Sequence, residues 1–184
     1  MKKVIVSIDL SGSMSGIPVR EIEKAVNQFS KWIRTDDGKM IRYCILGFND
    51  SANILCDWNS GEMGGRLCLD AYGGTNITCV LQTIAKIISE EQSQNKAGIE
   101  RPIVILISDG YINTSSTDSE AIATCTEKCD LHYISVTGKS IDVSAIFPNR
   151  KIIDDITSGG SQKILQYMIE AIKGDSRYQQ PMAG

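Results

Sequence analysis

The sequence lacks long apolar runs, an excess of basic residues and a recognisable export signal. No stretch is apolar for long enough to cross a bilayer as a helix. The 184 residues carry a formal net charge of −3, and the lysines and arginines are scattered, so no basic face for nucleic acid or a membrane surface is expected. The N-terminal apolar run is too short for a signal peptide and is interrupted by Asp9. We therefore expect a cytoplasmic protein that begins with its first strand.

The six cysteines indicate buried thiols rather than a disulfide framework. They stand at positions 44, 56, 68, 79, 125 and 129, and without an export signal reduced thiols are expected. Cys44 and Cys56 fall on opposite arms of a predicted hairpin, so a disulfide between them is conceivable. Cys125, Cys129 and His132 offer three zinc ligands, but their spacing matches no common zinc pattern. We favour a buried helical face for this segment.

Short β-branched runs alternate with amphipathic patterns along the chain, which predicts an α/β fold with a mostly parallel sheet. The predicted strands cover residues 4–8, 41–48, 52–56, 103–107, 131–136 and 151–153. The predicted helices begin near residues 17, 77 and 164, with another after the capping-box pattern of Thr117 and Glu120. We expect a doubly wound, Rossmann-like sheet of about six strands, with an antiparallel edge strand at 52–56 and helices on both faces.

The chain shows no linker or internal repeat, so we expect one domain over residues 1–174. The sequence Asp36-Asp37-Gly38 is expected to end the first helix. Residues 57–74 form a predicted long loop with room for a short helix. The polar residues 175–184 are expected to form a flexible C-terminal tail.

Three separate motifs place oxygen-bearing side chains at the ends of predicted elements. Asp9, Ser11 and Ser13 follow the first strand, Thr75 precedes a helix, and Asp109 follows the strand at 103–107. In a sheet of order 3-2-1-4-5, the first and fourth strands are neighbours, and the crevice at their carboxyl ends is the expected ligand site. Carboxylates and hydroxyls together suit a hard divalent cation such as magnesium.

These motifs resemble the metal-ion-dependent adhesion site (MIDAS) of von Willebrand factor A (VWA) domains. Asp9, Ser11 and Ser13 match the Asp-x-Ser-x-Ser motif of that family, Thr75 matches its isolated threonine, and Asp109 matches its later aspartate. The resemblance covers roughly residues 3 to 173. Within the family, the segments 11–18 and 48–52 are similar to those of small bacterial TerY-like proteins associated with tellurite resistance.

The resemblance implies a metal-dependent protein-interaction module. Ser11, Ser13 and Thr75 would bind Mg²⁺ directly, with Mn²⁺ or Ca²⁺ as alternative ions. Asp9 and Asp109 would act mainly through bound water or as alternating ligands. An open position on the metal would take an Asp or Glu of a partner protein. The TerY-like resemblance implies a stress-response assembly in which kinase or phosphatase components are candidate partners.

Two other functions compete with this one. A magnesium-dependent phosphohydrolase would need a second carboxylate where Ser11 stands, no P-loop lysine motif is present, and a serine hydrolase would need a base nearer than His132. We therefore expect no enzymatic activity. The other alternative is a structural metal site without a partner. The Ser/Thr-rich segment 113–119 could accept phosphate, but we favour a solvated loop before a capped helix.

Overall fold

Six strands and four helices alternate along the described part of the chain. The computed structural model describes residues 2–35, 40–61, 63–94, 101–110, 119–137 and 146–174. The strands are β1 (Lys2–Asp9), β2 (Ile41–Phe48), β3 (Ala52–Asn59), β4 (Ile103–Ser108), β5 (Asp130–Ser135) and β6 (Asn149–Ile152). The helices are α1 (Ile17–Trp32), α2 (Ile77–Gln94), α3 (Ser119–Lys128) and α4 (Gly160–Lys173).

The strands form one six-stranded sheet in the order β3-β2-β1-β4-β5-β6. All neighbouring pairs are parallel except the β2–β3 hairpin, which is antiparallel. The fold class and the antiparallel edge strand predicted from the sequence are therefore confirmed. The winding reverses between β1 and β4, whose register pairs Val4 with Ile103 and Ile8 with Ile107. This register brings the carboxyl ends of the two strands to the same point of the sheet edge.

The central strand β1 is buried on both faces, which explains its continuous β-branched run. Val4, Val6 and Ile8 pack in one core layer with α1 and α4, whereas Ile5 packs in the other layer with α2 and α3. Because side chains alternate along a strand, Asp9 falls on the α2–α3 face at the end of β1.

Cys44 and Cys56 do not face each other. Cys44 packs in the layer of α2 and α3, whereas Cys56 packs in the layer of α1 and α4. The cause is a register shift in the hairpin that places Cys56 opposite Ile45. A disulfide across the hairpin is therefore ruled out by geometry, and burial raises the pKa of the Cys44 thiol to about 12.

The suggested zinc ligands form other contacts. Cys125 and Cys129 are buried next to each other, and the hydrogen bond between their thiols lowers the pKa of Cys125 and raises that of Cys129. His132 Nε2 instead lies 3.3 Å from Asp130 Oδ2. Within the described ranges, no three Asp, Glu, His or Cys side chains converge as metal ligands, so the zinc interpretation has no support.

Other expectations differ or lie outside the described residues. Strand β3 extends to Asn59, and from there to α2 the described residues contain no helix. The predicted helix end at 36–38, Thr117, the Ser/Thr-rich segment 113–118 and the tail 175–184 lie outside the described ranges. None of the four described helices combines the length and apolar character that a membrane crossing requires.

Glu21 of α1 caps the N-terminus of α4. The residue before α4 is Gly159, which has no side chain to cap the helix, and Glu21 Oε2 accepts the Ser161 N–H at 2.9 Å. Glu21 Oε1 also accepts a hydrogen bond from Lys24 Nζ at 2.6 Å. These contacts, with Lys24 first, lower the pKa of Glu21. One carboxylate thus links the two helices on this face of the sheet.

We predict that Glu21→Gln lowers the free energy of unfolding by about 1 kcal/mol at pH 7, because a charged cap and an ion pair are lost. Since the folded-state pKa is lowered, the carboxylate stabilises the fold fully above its ordinary pKa of 4.5. That contribution is lost as the pH falls through the lowered value. Urea unfolding at pH 7 and at a series of pH values below 4.5 measures the difference between variant and parent.

The matched control is Glu90→Gln, because Glu90 forms an exposed pair with Lys86 at 3.9 Å. Such a pair contributes little to stability, so this variant should unfold like the parent. Equal stability of the two variants at pH 7, or a Glu21→Gln deficit that does not shrink as the pH falls below 4.5, would contradict the capping role.

Candidate metal centre

Asp9 is a fully buried carboxylate at the carboxyl end of β1. Its Oδ1 accepts the backbone N–H of Ser11 at 2.8 Å, and its Oδ2 accepts the hydroxyl of Ser108 at 2.6 Å. Ser108 ends β4, next to β1 in the sheet. Two elements therefore orient one carboxylate, and both of its oxygens already accept a hydrogen bond from the protein.

Asp109 follows Ser108 and is 1% exposed. The Asp109 carbonyl oxygen accepts a hydrogen bond from Thr137 Oγ1 at 2.7 Å. Gly110 turns the chain away with a φ of +92°, a value that favours glycine. The chain thus brings a second carboxyl group to the sheet edge beside Asp9.

The charge of Asp109 acts on the buried carboxylate of Asp9. Burial is the main cause that raises the pKa of Asp9, and the charge of Asp109 adds to it, against the hydrogen bonds from Ser108 and Ser11. Within the described part of the chain, Asp9 forms no ion pair with lysine or arginine. Burying two like charges is costly unless a cation compensates them. The environment of Asp9 therefore fits a bound cation.

Ser11 and Ser13 place their hydroxyls side by side. Their Oγ atoms are 3.1 Å apart, on a 3₁₀ turn over Gly12–Met14 whose Met14 side chain is fully buried. Ser11 is 2% exposed, whereas Ser13 is solvent-exposed. Neighbouring ligands of an octahedral Mg²⁺ lie about 3.0 Å apart, given Mg–O distances of about 2.1 Å. The hydroxyl pair therefore has the spacing of two adjacent magnesium ligands.

The loop that carries Thr75 is hydrogen-bonded to the loop that carries the two serines. The Gly12 N–H donates to the Gly73 carbonyl at 3.0 Å, and the Tyr72 N–H donates to the Leu10 carbonyl at 2.8 Å. These two backbone bonds hold residues 72–73 against residues 10–12, so the sequence-predicted motifs meet at one edge of the sheet.

The turn of the β2–β3 hairpin fixes the position of Thr75. The Gly74 N–H donates to Asp50 Oδ2 at 3.0 Å, and the Asn76 N–H donates to the Asn49 carbonyl at 2.7 Å. Thr75 stands between these two anchored residues and is partly buried. The cap of α2 comes from Asn76, whose Oδ1 accepts the Cys79 N–H at 3.3 Å.

The structure adds residues that sequence reasoning did not assign to the site. Ser108 orients Asp9, and its only signal was its place beside Asp109 in a strand-end motif. Asp50 belongs to a turn in sequence, and nothing there indicated that its carboxylate would hold another loop. Tyr133 of β5 lies near both aspartates, and burial raises its pKa to about 12, with their charges adding to the effect.

Comparison with known proteins identifies the fold. No protein-family model and no curated protein sequence matches the chain. A von Willebrand factor type A protein from Catenulispora acidiphila aligns with 93% of this chain at a TM-score of 0.73 and 16% identity. The chain has the von Willebrand factor A fold. The SpRpn10 VWA domain aligns with 92% of this chain and 96% of its own, at a TM-score of 0.68 and 13% identity.

Another VWA-like structure was solved with metal present. Proximal thread matrix protein 1 from the mussel byssus, with a zinc-occupied MIDAS motif, aligns with 94% of this chain at a TM-score of 0.71 and 13% identity. The chain spans 42% of the Catenulispora protein and 48% of the mussel protein. Since all three identities are low, the likeness establishes the fold only.

We predict that Gly73→Ala destabilises the protein by about 1–2 kcal/mol, because Gly73 has a φ of +77°, a conformation that costs an L-residue about that much. An added Cβ would also lie 2.6 Å from Asp50 Oδ2. Urea unfolding measures the loss. Gly64→Ala is the control, since a Cβ there meets nothing within 4 Å. Equal effects of the two substitutions would show that the loop does not depend on this glycine.

Proposed function

We propose that this chain binds a divalent cation through Asp9, Ser11, Ser13, Thr75 and Asp109, and through it captures an Asp or Glu of a partner protein. One observation carries the proposal: two buried aspartates lie near each other, beside a serine pair with Oγ atoms 3.1 Å apart. When bound, the cation supplies an electrophilic centre with an open position for a carboxylate oxygen.

The residues of the site would contact the cation in different ways. Both oxygens of Asp9 accept hydrogen bonds, from Ser11 N–H and Ser108 O–H, which favours contact through water over direct ligation. The neutral hydroxyls of Ser11, Ser13 and Thr75 do not cancel the charge of a cation. Ser13 is exposed, so an incoming carboxylate approaches the site from its side.

Magnesium is the cation that we propose. Mg²⁺ prefers a compact octahedral shell of oxygen ligands, and the two serine hydroxyls, which share a hydrogen bond of 3.1 Å, can enter such a shell as neighbours. Mn²⁺ is the nearest alternative. The zinc-occupied motif of the mussel protein makes Zn²⁺ a necessary comparison in any binding experiment.

We propose binding rather than catalysis. Ser11 occupies the position where a phosphohydrolase would carry its second carboxylate. His132 belongs to the middle of β5, three residues before Ser135, and it lies beside Asp130 instead of the site serines. In keeping with the sequence resemblance, we propose that residues 1–174 act as one module in a TerY-like, tellurite-associated stress-response assembly.

We predict that Ser13→Ala weakens Mg²⁺ binding at least tenfold, because it removes one hydroxyl of the pair. Isothermal titration of Mg²⁺, Mn²⁺, Ca²⁺ and Zn²⁺ into parent and variant measures the change. Ser15→Ala is the matched control, since Ser15 is equally exposed but lies outside the ligand set. If Ser13→Ala and Ser15→Ala bind Mg²⁺ alike, the proposed ligand set is wrong.

We predict that partner capture from a cell extract requires both metal and Asp9. A chelator or Asp9→Asn should abolish capture while circular dichroism shows an intact fold, and adding back Mg²⁺ should restore capture by the parent only. Capture that survives both treatments would overturn the proposal. Metal-dependent stabilisation without capture of any partner would instead favour the structural metal site.

A further inference from the structure

A cleft runs along α1, between that helix and residues 63–71. It consists of two cavities of about 530 and 510 Å³, both lined by Lys24 and Arg66. One cavity reaches from Ser15 and Gly16 to Ala71, and the other continues to Lys31 and Met63. The α1 residues that line the cleft run from Val19 to Lys31, so at a rise of 1.5 Å per residue the α1 wall is about 18 Å long.

The cleft begins at the candidate metal centre. Ser15 and Gly16 directly follow the 3₁₀ turn that carries Ser13, and Ala71 precedes the residues that hold the Thr75 loop. The backbone hydrogen bond from Tyr72 N–H to the Leu10 carbonyl holds the end of the 63–71 segment beside the loop that carries the site serines. A partner segment that runs from the metal towards Ser15 and Ala71 therefore enters the cleft.

The cleft walls are held in place by side chains of α1. Asn27 clamps Leu67 with two hydrogen bonds of 2.9 Å, one to its carbonyl and one from its N–H. Glu23 Oε2 accepts the Leu69 N–H at 3.1 Å, and Glu23 Oε1 pairs with Arg66 Nη2 at 2.9 Å. The cleft is thus preformed, and the Glu23 carboxylate is already occupied.

The charge of the cleft differs from that of the chain. Its described lining contains four cations and two carboxylates: Arg20, Lys24, Lys31, Arg66, Glu23 and Asp70. The whole chain has a net charge of −3. Among the described residues Arg20 and Lys31 form no ion pair, and both are exposed. Lys24 is paired with Glu21 and Arg66 with Glu23, so Arg20 and Lys31 supply the positive charge of the cleft, against the single carboxylate of Asp70.

We infer that the partner segment is acid-rich, with one carboxylate on the metal and further carboxylates on the cations of this cleft. The inference deepens the proposed function and rests on it. A wall of about 18 Å accommodates roughly five extended residues. Arg20 would meet the carboxylates nearest the metal, and Lys31 those at the far end.

Two labelled synthetic peptides test the inference by fluorescence anisotropy with Mg²⁺. One has a single Glu among Gly and Ser, and the other has the same Glu followed by four more. We predict that the acid-rich peptide binds at least tenfold more tightly than the single-Glu peptide. The double variant Arg20→Gln with Lys31→Gln should remove most of this difference in affinity. The control pair is Lys86→Gln with Lys128→Gln on α2 and α3, which pack on the opposite face of the sheet.

The outcomes separate the two proposals. If both peptides bind with the same metal-dependent affinity, the inference that the cleft binds acidic residues is wrong, and the metal-dependent function is retained. Tight binding of the acid-rich peptide that survives a chelator, but not Arg20→Gln with Lys31→Gln, supports the cleft and overturns the metal-dependent function. Competition by a single-stranded oligonucleotide of equal charge, at the same concentration as the acid-rich peptide, overturns the assignment to an acidic protein segment.

Discussion

The hydrogen bond from Ser108 to the buried carboxylate of Asp9, at 2.6 Å, is the contact on which the site depends. It joins the ends of β1 and β4, the two strands between which the winding of the sheet reverses. The same contact opposes the cost of burying the charge, because a hydrogen bond to the ionised form favours that form. A sheet wound differently would bring Ser108 elsewhere and leave Asp9 without this partner.

The strand order and the antiparallel edge followed from the sequence because the pattern was strong at every step. Central strands buried on both faces need continuous β-branched runs, such as residues 4–8 and 103–107, and parallel neighbours need helical crossovers between them. Once β1 and β4 are neighbours, the meeting of Asp9 and Asp109 follows from topology alone. That part of the site was therefore accessible to sequence reasoning.

The remaining features depend on contacts that no local pattern encodes. Thr75 is positioned by a side chain and a carbonyl of the distant turn at Asn49 and Asp50. Cys56 faces away from Cys44 because the hairpin register shifts near Ile45, and a one-residue change of register moves a side chain to the other face. Such pairings become visible only when the whole sheet is assembled.

The distribution of charge links the interior of the site to its surface. The buried aspartates make the site negative where no cation is bound, so a second acidic group would be repelled from it. A cation held mainly by neutral hydroxyls would make the local field positive at Ser13, because the hydroxyls would not cancel its charge. Arg20 would then extend that positive field along the first turns of α1, because exposed charges still act over about 10 Å in moderate salt. Metal occupancy would therefore determine whether an acidic partner is attracted to the site. The length of the cleft would determine how many acidic residues of that partner are bound.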